Sequence, residues 1–399
     1  MTQAVKVEEE KAEQNLPEAN IKASGLLAAG HLTVDSYGGF LTPIMPFLAA
    51  KIGISVAVAS MILSVSHLTS SILQPVFGYI ADSMTRRFFV FWGLVFAAVF
   101  FGLTGVMPNA WLLGLAIVLG SLGVGFYHPQ ATSLVHHFSG KKINIIMSIF
   151  TACGTAGYAV GPLISSNLVA RFGISSTPLA ILPGLIIALL IYTVLPKIPA
   201  SLKVNHKGSF KEAFCKVFTN KILAILTIIS IIKALISLSF NIYIPFLWKS
   251  LGYSVSQIGF AVALFSLLGG IASPTGGKLS TIIGSRNVFY ISLIPILPVA
   301  LGMLYFVRSN PTISFILYGL LGFFTMLAVS ENIIMAQKQA PENKGMISGV
   351  IGGFSWGVIG VMLTPLGLLA YKFGISNVLT VIAVVPLLTA VLVKHLPRD

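Results

Sequence analysis

Residues 44–60, IMPFLAAKIGISVAVAS, resemble residues 243–259, YIPFLWKSLGYSVSQIG, at a constant offset of 199. Carried forward without gaps, this offset pairs three further positions: Pro75 with Pro274, Gly78 with Gly277, and Arg87 with Arg286. A second match sets RFGIS at 171–175 against KFGIS at 372–376, offset by 201. Two matches in corresponding order predict that the chain consists of two halves with parallel repeats, an architecture typical of secondary transporters.

Composition indicates a polytopic membrane protein. Of 399 residues, 56% are apolar and only 9% are charged, and the mean hydropathy is +0.92. A soluble domain would have about a quarter charged residues. Each predicted span is long enough for a hydrocarbon core of about 30 Å. There are twelve: 24–50, 56–81, 88–107, 111–136, 143–171, 177–196, 222–248, 256–282, 288–307, 312–338, 345–371 and 376–396.

The spans divide six and six around the longest polar connection. The predicted fold is therefore an all-α membrane protein of two pseudo-symmetric six-helix bundles, residues 23–196 and 222–399, joined by a cytoplasmic loop at 197–221. Residues 1–22 are polar and acidic without an apolar core, which predicts a disordered cytoplasmic tail and no cleaved signal peptide. Cys153 and Cys215 lie in different environments, so no disulfide is expected.

The distribution of basic residues predicts the topology. With the N-terminus inside, the outer loops hold five: Lys51, Arg171, Lys249, Arg308 and Lys372. The inner loops and C-terminus hold sixteen: Arg86, Arg87, Lys141, Lys142, Lys197, Lys203, Lys207, Lys211, Lys216, Lys221, Lys278, Arg286, Lys338, Lys344, Lys394 and Arg398. The positive-inside rule then puts both termini in the cytoplasm. The net charge of +14 reflects this asymmetry. It does not indicate nucleic-acid binding, because no basic face with interleaved aromatic residues exists.

Six ionisable residues lie well inside predicted spans, away from the span ends: His31, Asp35, His67, His128, Lys233 and Glu331. Such groups are costly at membrane depth and usually mark a substrate or proton site. The sequence contains no phosphate-binding loop, no His/Cys cluster with metal-ligand spacing and no nucleotide-binding motif. We therefore expect neither an enzyme nor a bound cofactor or metal.

The loop between spans two and three reads Gly78-Tyr-Ile-Ala-Asp82-Ser-Met-Thr85-Arg86-Arg87. It resembles the signature loop of the major facilitator superfamily, with Thr85 in place of the usual second glycine. The second half keeps the glycines and Arg286, but Thr281 replaces the acid. The resemblance implies a conformational latch between the halves, composed of Gly78, Asp82, Arg86, Arg87 and Arg286. The alternative is an ordinary turn with topogenic charges.

Three further stretches are similar to the fosmidomycin resistance family of bacterial efflux proteins. They are HLTVD at 31–35, FYHPQ at 126–130 with SGK at 139–141 and MSIF at 147–150, and AQ at 336–337 with GMISG at 345–349. Gln130 stands where an acidic residue is expected, and Glu331 is not an obvious family feature.

The family resemblance implies that spans one, four, seven and ten line a central cavity. His31 and Asp35 are four residues apart and share a helix face. The repeat sets Lys233 opposite Val34, beside Asp35. This predicts an Asp35–Lys233 ion pair at midplane, which either opens with protonation or substrate or is a permanent structural pair. Asp35, His31 and Glu331 are the predicted proton-coupling residues.

A second polar level is predicted nearer the cytoplasm. The offset of 201 pairs Gln130 with Glu331, which suggests opposite walls of one chamber that also includes His128, where Pro129 permits a kink. The predicted substrate-binding residues are Lys233, His128, Gln130, Asn241, Tyr37 and His67. For Asn241 and Tyr37 the alternative is packing, and for His67 it is a hydrogen bond to a neighbouring helix.

Small residues in spans five and eleven are predicted to allow close helix packing and sliding. Gly157, Gly161 and Pro162 partly match the antiporter motif of drug exporters, and Gly353 and Gly357 repeat the small-residue spacing. Ordinary helix packing explains the same pattern.

The function expected from these features is proton-coupled export of a small anionic or polar drug-like compound of the fosmidomycin type across the bacterial inner membrane. The expected partners are the substrate, protons and the lipid bilayer, with a monomer as the working unit. An importer of a metabolite anion and a non-transporting sensor on the same fold remain as alternatives.

Overall fold

A computed structural model describes residues 18–72, 77, 87–196, 219–340, 347 and 349–397. The first half contains α1 (Ile21–Ile52), α2 (Val56–Ile72), α3 (Phe88–Leu103), α4 (Ala110–Ser139), α5 (Ile143–Phe172) and α6 (Ile181–Val194). The second half begins with α7 (Lys221–Ser250), α8 (Val255–Ile283) and α9 (Ser285–Leu293, continued by Ile296–Phe306). It ends with α10 (Pro311–Met326, continued by Val329–Gln339), α11 (the π turn Val350–Phe354, continued by Ser355–Phe373) and α12 (Ile375–Ala390).

Ten helical stretches of the described chain, α3 to α12, are long and apolar enough to cross a membrane, and α2 contributes a shorter apolar helix. α1 has 32 residues, which corresponds to a length of about 48 Å. Large apolar side chains cover the outside of the bundle, for example Leu182 with 64% and Val381 with 68% of the residue exposed. This surface suits lipid, and the predicted all-α, two-bundle membrane fold is confirmed.

The repeat seen in the sequence recurs in the backbone at the ends of equivalent helices. Gly53 after α1 and Gly252 after α7 have φ of 79° and 86°, and Gly173 after α5 and Gly374 after α11 have φ of 81° and 87°. Side chains with a Cβ rarely adopt these angles, which explains why glycine occupies these positions in both halves.

The four helices expected to line the cavity all start on an asparagine whose side-chain oxygen accepts a backbone N–H. Asn20 caps α1, Asn109 caps α4, Asn220 caps α7 and Asn310 caps α10. Such caps satisfy amides that have no partner within the helix. The first and fourth helices of each half therefore start in the same way.

Glycines of α5 bring this helix close to α1. A Cβ at Gly157 would lie 3.0 Å from both Asp35 Cβ and Ser36 N, and one at Gly161 would lie 3.0 Å from Ser36 Cα. The close packing predicted at Gly157 and Gly161 is therefore present. It is not found at Gly353, where an added Cβ would meet no atom within 4 Å. Gly357 is buried within α11.

The two halves meet through α2 with α11 and α5 with α8. Ser64 Oγ donates to Gly360 O, and a Cβ at Gly367 would lie 2.5 Å from Ser60 Cβ. On the other side of the bundle, a Cβ at Gly259 would lie 2.9 Å from Pro162 O. These contacts all lie toward the end of the bundle that carries Gly53 and Gly252.

We expect Gly157→Ala to lower the midpoint of thermal unfolding in detergent, because the added methyl group must push α5 away from α1. Overpacking of this kind costs about 1–3 kcal/mol. Gly353→Ala is the control and should leave the midpoint unchanged or raise it, because its methyl group meets no neighbour. Equal effects of the two substitutions would contradict the packing described here.

Candidate functional site

Asp35 lies about midway along α1 between two histidines. His31 Nε2 is 3.2 Å from Asp35 Oδ2, and His128 Nε2 of α4 is 3.2 Å from Asp35 Oδ1. The side chains of Asp35, His31 and His128 are 5%, 12% and 22% exposed, so the cluster is reached from the side of His128. We call these three residues the Asp35 cluster. Their ligand atoms all lie within 4.8 Å of one another, close enough to share one cation, of which a proton is the simplest.

The orientation of His31 is fixed by α5. His31 Nδ1 lies 2.8 Å from Phe150 O, and the imidazole stacks on the Phe150 ring with a centroid separation of 4.1 Å. A carbonyl oxygen only accepts hydrogen bonds, so Nδ1 carries the proton and Nε2 faces Asp35. In a neutral His31, Nε2 would present a lone pair to the carboxylate. The contact is therefore favourable only when a proton lies between the two groups.

Helix α5 also closes the space around the cluster. A Cβ at Gly154 would lie 2.5 Å from His31 Nε2 and 2.7 Å from Asp35 Oδ2. Tyr127, fully buried on α4, donates to Leu27 O at 2.6 Å and ties α4 to α1 beside the cluster. Both features hold the two histidines against Asp35.

The predicted Asp35–Lys233 ion pair is wrong for this structure. Asp35 is paired with the two histidines, whereas Lys233 Nζ is buried with no hydrogen-bond partner among the described residues. Lys233 is 3% exposed and lies midway along α7. The sequence predicted His128 at a second polar level nearer the cytoplasm, whereas in the structure it contacts Asp35.

Gln130 and Glu331, predicted to lie on opposite walls of one chamber, are equivalent residues that each bond within their own half. Gln130 Oε1 accepts from Val90 N, at 2.9 Å, in the first turn of α3. Glu331 accepts from Ser280 Oγ and Ser285 Oγ, each at 2.7 Å, where α8 ends and α9 begins. Each side chain joins helices of its own half, and a helix N-terminus favours the negative charge of Glu331.

Arg87 and Arg286 also bind within their own halves. Arg87 Nη1 donates to Ile191 O of α6 at 3.4 Å, and Arg286 Nη2 donates to Leu396 O after α12. Among the described residues, neither arginine therefore shows the predicted contact between halves. The remaining latch residues, Gly78, Asp82 and Arg86, lie outside the described residues.

Two further predicted binding residues use their polar atoms in helix packing. Tyr37 donates to Ala180 O and accepts from Gly184 N at 3.1 Å, which ties α1 to α6. Asn241 donates to Ser237 O at 2.8 Å and accepts from Tyr318 at 3.1 Å, which ties α7 to α10. These hydrogen bonds support helix packing, the alternative given for both residues.

His67 lies where the two halves meet. A Cβ at Gly360 of α11 would be 3.3 Å from His67 Cβ. This position supports the interpretation of His67 as a residue that faces a neighbouring helix. The residues that sequence reasoning missed are Phe150, which acts through a backbone carbonyl and leaves no signal in side-chain patterns, and Asn332 of α10.

Two six-helix halves of the same architecture, one of which carries a buried titratable cluster, are the layout of a secondary transporter. The family pattern described as Major Facilitator Superfamily matches residues 27–362 and residues 226–399.

Individual relatives agree with this assignment. The chain is 27% identical over 374 residues to the fosmidomycin resistance protein of Escherichia coli (strain K12), covering 91% of this chain and 90% of that protein. It is 25% identical over 351 residues to a multi-drug resistance efflux pump PmrA homolog of Lactococcus lactis, covering 81% and 85%. A crystal structure of the nucleoside transporter NupG superposes with a TM-score of 0.72 at 16% identity, covering 94% of this chain and 99% of that one. The chain belongs to the Major Facilitator Superfamily: it is a multi-pass membrane transporter of small molecules and not an enzyme.

We expect Glu331→Leu to destabilise the C-terminal half, because it removes the carboxylate that accepts from Ser280 Oγ and Ser285 Oγ and joins α10 to α8 and α9. Hydrogen bonds to a charged group contribute about 1.5–3 kcal/mol each. Glu331→Gln should cost less, since Gln130 performs the same task in the other half. Thermal unfolding in detergent measures both variants, and an equal loss in the two would show that the carboxamide cannot replace the carboxylate.

Proposed function

We propose that this transporter couples proton movement to the export of a small anionic or polar compound. The observation that carries the proposal is the Asp35 cluster, in which His31, held by Phe150 O, and His128 face the two oxygens of one carboxylate. This geometry is favourable with a proton bound and loses its attraction when the proton leaves a neutral imidazole facing the carboxylate. Asp35 and His31 are therefore the proposed proton carriers, and His128 connects them to the cavity.

The contacts between the two halves indicate which conformational state of the transport cycle the structure represents. With the positive-inside orientation, the end that carries Gly53 and Gly252 faces outside, and the Ser64 to Gly360 bond lies toward that end. The halves are thus joined on the outer side, and the proposed cycle has the Asp35 cluster open to the cytoplasm in this state. A proton is released inward while substrate enters, and the reverse exchange occurs after the halves rock.

The charge of the C-terminal half favours an anionic substrate. Lys233 is buried at midspan and lacks a partner among the described residues, so an anion can bind there without first breaking an ion pair. The names of the relatives from Escherichia coli and Lactococcus lactis, which refer to fosmidomycin resistance and multi-drug efflux, support export. The proposed location is the bacterial inner membrane with both termini in the cytoplasm, and the proposed working unit is a monomer.

Asp35→Asn should abolish proton-driven transport, because an amide keeps the shape of the carboxylate but does not bind and release a proton in the same way. The measurement is substrate movement in inside-out vesicles driven by an imposed proton gradient, compared with vesicles that lack the protein. Undiminished coupling in Asp35→Asn would contradict the role of Asp35.

Glu331→Gln is the matched control for that experiment, since it neutralises another buried acid of the same chain. We expect coupling to persist in this variant, because both Glu331 oxygens are bonded to serines at a helix joint. Loss of coupling with Glu331→Gln and retention with Asp35→Asn would transfer the proton-carrying role to Glu331.

The alternative is import of a metabolite anion through the same site, which the unpartnered Lys233 would equally permit. Disruption of the gene distinguishes the two directions. We expect the disrupted strain to become more sensitive to anionic inhibitors that the exporter removes. Unchanged sensitivity together with lost uptake or growth on an anionic nutrient would establish import.

A further inference from the structure

Two buried polar atoms lie unpaired where α7 packs against α10. Lys233 Nζ and Asn332 Oδ1 have no hydrogen-bond partner among the described residues, although the two residues are only 3% and 1% exposed. Buried polar groups are nearly always paired, and each exception calls for an explanation. Here one group is a pure donor and the other a pure acceptor.

The amide of Asn332 is held firmly against α7. Its Nδ2 donates to Leu226 O and to Ser230 Oγ, both at 3.1 Å. Because both donor hydrogens are used, the carbonyl oxygen is fixed on the other side of the amide. Asn332 Oδ1 is therefore a preoriented hydrogen-bond acceptor without a donor among the described residues.

Lys233 lies on the face of α7 that Asn332 contacts. Residues three apart lie on one helix face, so Lys233 follows Ser230 along the face that Asn332 contacts. A long side chain in a helix leans back toward the N-terminus and covers the preceding turn. From this geometry we expect the stem of Lys233 to extend toward the turn that contains Ser230, which Asn332 contacts.

The backbone around this pair is interrupted on two helices. α10 is interrupted between Met326 and Val329, one turn before Asn332, and α11 contains the π turn Val350–Phe354, which packs against α7. Ser355, which follows the π turn, has a buried hydroxyl with no partner among the described residues. Broken helices and π turns concentrate at binding sites in membrane transporters and other proteins.

We infer that Lys233 and Asn332 together anchor the substrate in the C-terminal half, and that they select an anion with an O–H or N–H donor beside its charged oxygen. The ammonium group of Lys233 binds the anionic oxygen, and Asn332 Oδ1 accepts the neighbouring donor. α-Hydroxycarboxylates have this pattern. The inference rests on the proposed transport of an anion and names its chemical class.

The test compares two isosteric probes on the purified transporter, measured by calorimetry or by thermal stabilisation. 3-Phenyllactate carries a carboxylate and an α-hydroxyl group, and 2-methyl-3-phenylpropanoate replaces that hydroxyl by a methyl group. We expect the wild-type protein to bind phenyllactate about tenfold more tightly, the effect of one buried hydrogen bond that would otherwise be unmade. The methyl ester of phenyllactate, which lacks the charge, should not bind.

Two substitutions separate the two contacts. Asn332→Leu should remove the preference between the probes, and Lys233→Met should weaken both acids while the preference remains. Asn241→Leu is the matched control on the same pair of helices. It removes an amide whose donor and acceptor are already bonded, so it should change stability without changing the preference.

Several results would overturn the inference. They are no binding of phenyllactate by the wild-type protein, equal binding of the two acids, tight binding of the ester, or a preference that survives in Asn332→Leu. The wild-type comparisons need no variant, so they decide the matter even if a variant fails to fold. Proton-coupled transport with any of these results would leave the proposed function intact and remove only the substrate class.

Discussion

The close packing of α5 on α1 is the constraint on which the site depends. Gly157 and Gly161 leave no room for a side chain between the helices, and Gly154 continues this face beside the Asp35 cluster. At this separation Phe150 O lies 2.8 Å from His31 Nδ1. The backbone of one helix thereby decides which nitrogen of a histidine on the other faces Asp35. Helices in membranes usually associate through small residues that permit close approach. Burial of apolar side chains does not drive this association, because the surrounding lipid is equally apolar.

The two halves share a scaffold and differ in their chemistry. Arg87 and Arg286 each bind a carbonyl near the end of their half, and Gln130 and Glu331 each join their helix to the start of α3 or α9. At mid-depth the correspondence ends. The N-terminal half carries a carboxylate between two imidazoles, whereas the C-terminal half carries an amine and an amide with unmade contacts. Proton binding and substrate binding are thus proposed for different halves, which rock against each other.

Sequence reasoning predicted what depends on position along the chain and failed on what depends on rotation about a helix axis. The repeat offsets located matching helix ends, such as those at Gly53 and Gly252, because they are local features of backbone geometry. The spacing of His31 and Asp35 predicted that they share one helix face, and in the structure they are in contact. The register correctly set Gln130 against Glu331 as equivalents, but it carried no information on which neighbour each side chain faces. The same limit produced the wrong partner for Asp35, since equal depth in the membrane does not bring two side chains together.

The absence of an Asp35–Lys233 pair in this state has a mechanistic consequence. A buried ion pair satisfies both charges, and removing one partner costs about 3–5 kcal/mol. In a transporter that uses such a pair, each proton or substrate that enters would have to supply the free energy needed to separate the two charges. In the proposed cycle two imidazoles avoid the cost, because they share the proton that Asp35 binds and need not move for the site to be neutralised. Lys233, free of Asp35, is then available to an anion in the other half. Separate placement of the acid and the amine therefore favours reversible binding at both positions over static stability at either.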